Sequence, residues 1–266
     1  TKEIPFNIGS RQQIADRLVK RGWKPKQYTD KNNIIINEAV LKTIKSPELK
    51  LIAERFSNYF LLQKRAVMVE SWIEACQNDN RVRGKVMTLR TVTGRMAHNS
   101  PNMAQIPATY SPYGKACRGL WTVEDVTKYK LVGTDASGLE LRCLAHYLND
   151  DNYTDEILNG DIHTKNMELA GLDSRAQAKT FIYAFLYGAG PDKIGKIVGG
   201  GRKKGNELIN TFLSNLPSLK ILRMQVDRQS KKGEIKAIDG RLLRIRSQHS
   251  ALNTLLQGAG AIICKQ

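Results

Sequence analysis

The 266-residue chain is long enough for one large domain or two modest ones, and its 41% hydrophobic content is typical of a folded globular protein. Its 42 Lys and Arg outnumber 25 Asp and Glu, which leaves a formal net charge of +17. Such an excess indicates a polyanionic partner, and nucleic acid is the commonest, because each neutralised phosphate releases condensed counterions. A merely basic globular protein and one that touches anionic membranes are the alternatives.

The cysteines and the hydropathy pattern exclude several classes. The cysteines are scattered, without a C-x-x-C pair or a nearby histidine cluster: Cys76, Cys117, Cys143 and Cys264. This spacing argues against a structural zinc site and a secreted disulfide scaffold, and it favours a reduced, cytoplasmic setting. No stretch approaches the roughly 18 apolar residues of a membrane span, and the start is no signal peptide. The missing initial Met and the ending GAGAIICKQ predict that both ends are cuts.

Helical patterns dominate the chain, with N-caps at Ser10 and Ser174 and a helix-opening proline at Pro47. The predicted helices cover residues 10–22, 47–76, 138–148, 174–187 and 248 to the end. Strands are predicted at 81–87, at 128–135 and in a hairpin whose turn is Asp239-Gly240. Residues 91–112 have the composition of an ordered loop. The sequence therefore predicts a helix-rich α+β fold.

The helix that follows Ser174 carries two cations and then two phenol rings at every fourth position. They are Arg175, Lys179, Tyr183 and Tyr187. Because four residues advance a helix by about 400°, these side chains form one slowly winding row roughly 18 Å long. A nucleoside triphosphate fits such a row, with its phosphates at the cations and its sugar or base on a ring. A solvated basic face with two half-buried tyrosines is the alternative.

Three other side chains are candidates for chemistry. Asp135 ends the predicted strand at 128–135, where it is either a Mg²⁺ ligand or an ordinary helix N-cap. Glu140 lies within the next helix between two leucines, either on a solvated face or in a buried wall. His163, near a helix start, either donates to a phosphate or is a surface imidazole.

Five segments stand in a fixed order along the chain. They are TVTGRMAHNSPNMAQIP (91–107), GTDASGLELRCLAHY (133–147), GDIHTKN (160–166), RAQAKTFIYAFLYGAG (175–190) and ALNTLLQGAGA (251–261). Together they resemble the successive motifs of family A DNA polymerases, which are related to bacterial polymerase I, and most nearly the replicative polymerases of short-tailed bacteriophages. The resemblance covers nearly the whole chain and implies the right-hand fold. It assigns 1–90 to the base of the thumb and its approach to the palm, 91–160 to the palm, 161–232 to the fingers and 233–266 to the return to the palm.

The resemblance also implies a role for each matching residue. Asp135 resembles the first catalytic metal-binding aspartate, with the carbonyl of Ala136 as a further ligand to one of two Mg²⁺ ions. Glu140 resembles the steric gate that crowds the sugar 2′ position. The triphosphate-binding set is His163, Arg175 and Lys179, while Tyr183 packs on the incoming sugar and base and Tyr187 stacks near the template base.

The implied partners are deoxynucleoside triphosphates and primer–template DNA in the cytoplasm of an infected bacterium. The residues that resemble minor-groove contacts are Arg95, Asn253, Gln257 and, less closely, His249, where many relatives have Arg. Such contacts are largely blind to sequence. A processivity factor or a complementing polymerase fragment is a further implied partner, and no membrane is involved.

The family's second catalytic aspartate lies in an H-D-E hairpin, and no His-Asp-Glu triplet occurs in this sequence. Four other acids are predicted to lie in a loop and to be poor substitutes: Asp150, Asp151, Asp155 and Asp161. The isolated chain is therefore predicted to be inactive, either as a partial sequence or as half of a split polymerase. Two alternatives are a single-subunit RNA polymerase, against which the gate residue Glu140 argues, and a non-catalytic basic module that binds nucleic acid without nucleotides.

Overall fold

The computed structural model describes residues 5–266, so the first four residues of the predicted 1–90 segment lie outside it. The chain divides into two compact units, one formed by residues up to 85 with 100–122 and the other by 86–99 with 123–266. Helices dominate both, which confirms the helix-rich α+β class. Among residues 5–266, none of the helices combines the length and the apolar character that a bilayer crossing requires.

The first unit is built around one long helix. Its helices are α1 (Arg11–Lys20), α2 (Glu38–Leu41), α3 (Pro47–Ala75) and α4 (Gly114–Gly119). The hydroxyl of Ser10 accepts the backbone N–H of Gln13 at 3.3 Å, which confirms the predicted N-cap of α1. Ile14 and Leu18, one turn apart on α1, are fully buried in the small core that α1 shares with α2 and α3.

The helices of the second unit share one hydrophobic core. Its helices are α5 (Leu139–Leu148), α6 (Asp151–Leu158), α7 (Ile162–Ala170), α8 (Arg175–Leu186), α9 (Pro191–Ile197), α10 (Arg202–Asn215), α11 (Pro217–Ser230) and α12 (Ala251–Ile263). Ser174 caps α8 by accepting the N–H of Gln177 at 3.2 Å, as predicted. Phe181 of α8 is fully buried, and its ring meets that of Phe212 edge-on at 5.1 Å between centroids.

The strands form two two-stranded sheets in the described part of the chain. They are β1 (Lys85–Met87), which pairs with β2 (Ala97–Asn99), and β3 (Glu234–Lys236), which pairs with β4 (Leu242–Arg244). In the β3–β4 hairpin, buried Ile235 lies opposite buried Leu243. The predicted hairpin is confirmed, but its turn is not a two-residue one. Gly240 alone has a positive φ of 85°, and Ala237 donates to the carbonyl of Arg241 across a three-residue loop.

The predicted strand at 128–135 is wrong. These residues are irregular and exposed, with Leu131 70% and Val132 88% accessible. A strand is stabilised by a hydrogen-bonded neighbour, and none of the strands within residues 5–266 pairs with this segment. The predicted strand at 81–87 is confirmed only for its last three residues, since β1 begins at Lys85 and Val82 makes a single bridge to Cys76.

Candidate functional site

Helix α8 presents the predicted row of cations and rings on its accessible side. Arg175 and Lys179 are exposed, Tyr183 is half-buried and Tyr187, at the C-cap, is exposed. The other side of the helix is anchored in the core by four buried apolar residues, Phe181, Ile182, Phe185 and Leu186. The rings of Tyr183 and Tyr187 are 6.3 Å apart between centroids. The core contacts therefore fix which side of α8 faces solvent.

Arg175 is held by an acid from the preceding helix. Its Nε lies 2.6 Å and its Nη2 3.0 Å from the two carboxylate oxygens of Asp161. Asp161 is also the N-cap of α7, where it accepts the N–H of His163 at 3.1 Å and the hydroxyl of Thr164 at 2.8 Å. Hydrogen bonds from Arg175 and Thr164 hold the pKa of Asp161 well below its usual range. The carboxylate is therefore ionised at neutral pH and fixes the Arg175 fork.

The four acids that sequence reasoning placed in a loop lie in helices or cap them. Asp150 caps α6 by accepting the N–H of Tyr153 at 3.1 Å, and Asp151 and Asp155 lie within α6. Asp161 caps α7. An aspartate directly before a helix is a common N-cap, and this sequence pattern could have predicted that Asp161 caps α7. Its contact with Arg175 spans 14 positions and has no local signature.

His163 lies between the cations and the first ring. Its ring centroid is 6.2 Å from that of Tyr183. Burial lowers the pKa of His163, the positive charges of Arg175 and Lys179 lower it further, and Asp161 opposes them. Its Nδ1 is buried without a hydrogen-bond partner. The imidazole is therefore neutral at pH 7 and has a polar atom left to satisfy.

Glu140, at the start of α5, lies close enough to both tyrosines to influence their ionisation. Burial raises the pKa of Tyr183, and the charge of Glu140 raises it further. The same two causes raise the pKa of Tyr187, with Arg95 acting in the opposite direction. Arg95, Glu140 and Gln257 also line one cavity of about 280 Å³. The structure thus brings the predicted gate, the two rings and two predicted DNA-contacting residues into one neighbourhood.

The remaining predicted DNA-contacting residues lie around the start of α12. A Cβ at Gly188, directly after Tyr187, would meet the carbonyl oxygen of His249 at 1.9 Å, so the two backbones are in close contact. The φ of Gly188 is 75°, which favours glycine there. Asn253 and Gln257 are half-buried and one turn apart on α12.

Asp135 and Ala136 are not drawn into this group. Both lie in the exposed irregular segment before α5, and no hydrogen bond or ion pair links Asp135 to another described residue. The N-cap of α5 is Gly138, so the alternative of Asp135 as a helix cap is wrong. In residues 5–266, no three His, Cys, Asp or Glu side chains are grouped as ligands for a metal ion.

Comparison with known proteins agrees with the geometry. Residues 1–266 match the family described as DNA polymerase family A. The chain is 42% identical to the DNA-directed DNA polymerases of Escherichia phage T7 and Enterobacteria phage T3, over 99% of this chain and 42% of each relative. A structure of the POL domain of Pol1 from M. smegmatis, in complex with DNA primer-template and dNTP, matches with a TM-score of 0.79 at 19% identity. That match covers 98% of this chain and 49% of the other, and it shows a shared fold.

Proposed function

Because the chain belongs to DNA polymerase family A, we propose that it forms the nucleotide-binding and primer–template-binding part of a DNA-directed DNA polymerase. The complete enzyme would add deoxynucleoside monophosphates to a primer 3′ end during phage DNA replication in the cytoplasm of an infected bacterium. The chain spans about two-fifths of the length of its phage T7 and T3 relatives (42%). The four-part division into thumb base, palm, fingers and return to the palm, at 1–90, 91–160, 161–232 and 233–266, is part of this proposal.

The observation that carries the proposal is the row on α8 with His163 beside it. Lys179 is exposed, and Arg175, whose Nε and Nη2 are engaged by Asp161, still offers its Nη1 donors, so both cations can bind a triphosphate. His163 offers a neutral imidazole, whose pKa an approaching anion would raise. These three side chains would bind and orient the phosphates, since phosphoryl transfer depends mainly on positioning and charge stabilisation.

The rings continue the row toward the sugar and the bases. Tyr183, 6.2 Å from His163 and 6.3 Å from Tyr187, would pack on the incoming sugar and base. Tyr187 would stack near the template base. Glu140, which is close to both rings, would crowd the sugar 2′ position and so exclude ribonucleotides. This gate disfavours an RNA polymerase activity, for which exclusion of the 2′-hydroxyl has no use.

Two of the four proposed DNA contacts line the cavity that Glu140 also lines. Arg95 and Gln257 line it, Asn253 lies one turn before Gln257, and His249 adjoins Tyr187 through Gly188. Acceptors in the minor groove are common to all base pairs, so donors of this kind bind DNA without reading its sequence. The net charge of +17 supports the same partner. A complementing polymerase fragment or a processivity factor is a further proposed partner.

The described residues do not by themselves make a two-metal site. Two-metal chemistry requires carboxylates that hold both ions about 3.5–4 Å apart. Among the described residues no three His, Cys, Asp or Glu side chains are grouped as metal ligands, so we propose only that Asp135 and the Ala136 carbonyl supply ligands for one Mg²⁺ ion.

Nucleotide binding separates the polymerase from a basic module that binds only nucleic acid. Fluorescence anisotropy with a fluorescent deoxynucleoside triphosphate should give an affinity that falls roughly tenfold in Lys179→Ala, the loss expected for one charge-assisted hydrogen bond. Lys193→Ala is the matched control, because Lys193 is an exposed lysine on α9 of the same unit. Equal affinities in the wild type and in both variants would contradict the proposal.

A further inference from the structure

Arg241, at the end of the β3–β4 turn, joins two parts of the second unit that are far apart in sequence. Its Nη2 donates to the carbonyl oxygen of Thr93 at 2.9 Å and approaches that of Gly258 at 3.5 Å. Its Nε lies 3.4 Å from the carboxylate of Asp239. One guanidinium therefore contacts the loop before β2, the helix α12 and its own turn.

The loop backbone lies directly against this guanidinium. A Cβ at Gly94 would fall 2.5 Å from Nη1 and 2.8 Å from Nη2 of Arg241. Gly94 also has a φ of 80°, a region that favours glycine. Thr93 and Gly94 are both buried. The chain thus passes Arg241 with no room for a side chain at Gly94.

The two backbone contacts of Arg241, at Thr93 and Gly258, fall within two positions of residues that line the cavity. Gly94 directly precedes Arg95, and Gly258 directly follows Gln257. Arg95 and Gln257 line the same cavity as Glu140. The backbone close to each of these two residues is therefore in contact with the same guanidinium nitrogen, Nη2.

We propose that Arg241 is a positioning residue that sets the spacing between Arg95 and Gln257 for the DNA minor groove. This inference rests on the proposed function. Arg241 acts through two backbones rather than on DNA, and it requires a guanidinium. Nη2 meets both carbonyl oxygens while Nε faces the carboxylate of Asp239, and the single nitrogen of a lysine cannot occupy both places. If Arg241 contributed only its positive charge to DNA binding, lysine at this position would serve equally well.

The test is a double-mutant cycle on primer–template binding by this chain, measured by fluorescence anisotropy with labelled DNA. Arg241→Ala is expected to weaken binding roughly tenfold, and Arg95→Ala by a similar factor, as for a lost base or groove contact. In the Arg241→Ala background, adding Arg95→Ala should lower the DNA affinity by less than a further threefold, because the effects of residues that act as one unit are not additive. Nucleotide affinity should stay within about twofold in Arg241→Ala, since the row on α8 is untouched.

Two further variants separate positioning from charge and from folding. Arg241→Lys keeps the charge but loses the fork, so it should remain weak in DNA binding; full recovery would overturn the inference. Arg244→Ala is the control, because this exposed arginine on β4 lies opposite Glu234 and away from the Thr93 loop contacts. If Arg241→Ala does not fold, as judged by circular dichroism, the cycle is run with Arg241→Lys.

The outcomes distinguish this inference from the function on which it rests. If the wild type does not bind primer–template, or if Arg95→Ala binds as the wild type does, the proposed groove contact fails. If Arg95→Ala weakens binding but adds fully to the Arg241 variant, the contact is retained and the positioning role is overturned.

Discussion

The carboxylate of Asp161 engages two nitrogens of Arg175, at 2.6 and 3.0 Å, across 14 positions of sequence. The same carboxylate caps α7, so one side chain fixes both the start of α7 and the first cation of the α8 row. The pair is largely exposed, and such pairs contribute little to stability. Its effect is therefore on the charge and the geometry offered to an anion.

Asp161→Asn is expected to tighten nucleotide binding. Asparagine still caps a helix, but it removes a negative charge from beside the proposed phosphate position and releases Arg175. We expect an affinity gain of roughly threefold to tenfold at low salt, which shrinks as salt screens the charges. Asp155→Asn, on α6, is the control for loss of one acid. A weaker affinity in Asp161→Asn would show that the fixed fork matters more than the free charge.

Nucleotide binding should become tighter as the pH falls below 7, through protonation of His163. In the free protein, burial and the neighbouring Arg175 and Lys179 lower the pKa of His163 below its ordinary value of about 6.5, so the ring is neutral. A bound triphosphate favours the charged form and raises that pKa, so binding takes up a proton between the two pKa values. Titration calorimetry in buffers of different ionisation enthalpy measures this uptake.

The triphosphate also titrates in this range, so the His163 contribution must be isolated with variants. His163→Asn should lose the extra proton uptake, and His146→Asn, on the exposed side of α5, should keep it. Identical proton uptake in all three proteins would rule out His163 as a phosphate ligand.

Replacement of Glu140 should alter the selection of the sugar. Glu140→Ala opens space at the proposed 2′ position, so the preference for dATP over ATP in competition binding should fall roughly tenfold, the scale on which a pocket rejects one small group. Glu140→Gln keeps the volume and removes the charge, and it should retain most of the preference. If both variants lose it equally, the discrimination is electrostatic rather than steric.

Tyr153→Phe should destabilise the second unit. The hydroxyl of Tyr153 donates to Oδ1 of Asn166 at 2.9 Å, and both side chains are buried. Nδ2 of Asn166 already lacks a partner, so loss of the hydroxyl leaves the buried amide with none of its hydrogen bonds among the described contacts. We expect the free energy of unfolding in urea to fall by about 1–2 kcal/mol. Tyr110→Phe, at a tyrosine that is 93% exposed, should change nothing.

This chain alone should not extend a primer with Mg²⁺ and all four deoxynucleoside triphosphates. Two-metal chemistry needs grouped carboxylates, and in residues 5–266 no three potential metal-ligand side chains are grouped. A gel assay of labelled primer checks this, with Asp135→Asn as the control for contaminating enzyme. Extension by the wild type but not by Asp135→Asn would contradict the expectation.

Local patterns were sufficient to predict much of the fold. Ser10 and Ser174 cap their helices as predicted, because a cap depends on residues three positions away. The row on α8 follows from helical spacing alone. The group around it does not, because Asp161 and Arg241 act through contacts over 14 and 148 positions, which no local pattern encodes.

The wrong prediction at 128–135 has the same origin. Tyr129, Leu131 and Val132 have the composition of a strand, but a strand depends on pairing with a neighbour that spacing cannot identify. The turn of the β3–β4 hairpin shows a smaller version of this effect. Asp239-Gly240 predicts a tight turn correctly, while the loop length is set by the Ala237–Arg241 hydrogen bond.

The solvent-exposed apolar segment before Asp135 also affects how readily the protein aggregates in solution. Val132, 88% accessible, belongs to an irregular apolar stretch without proline, and an exposed stretch of this composition can pair with a copy of itself and start fibrous aggregation. Lys130, next to Leu131, opposes such pairing by charge repulsion. Salt weakens that repulsion, since the screening distance falls to about 3 Å at 1 M. Concentrated solutions of the protein should therefore remain clear at low ionic strength, and their turbidity should rise as salt is added.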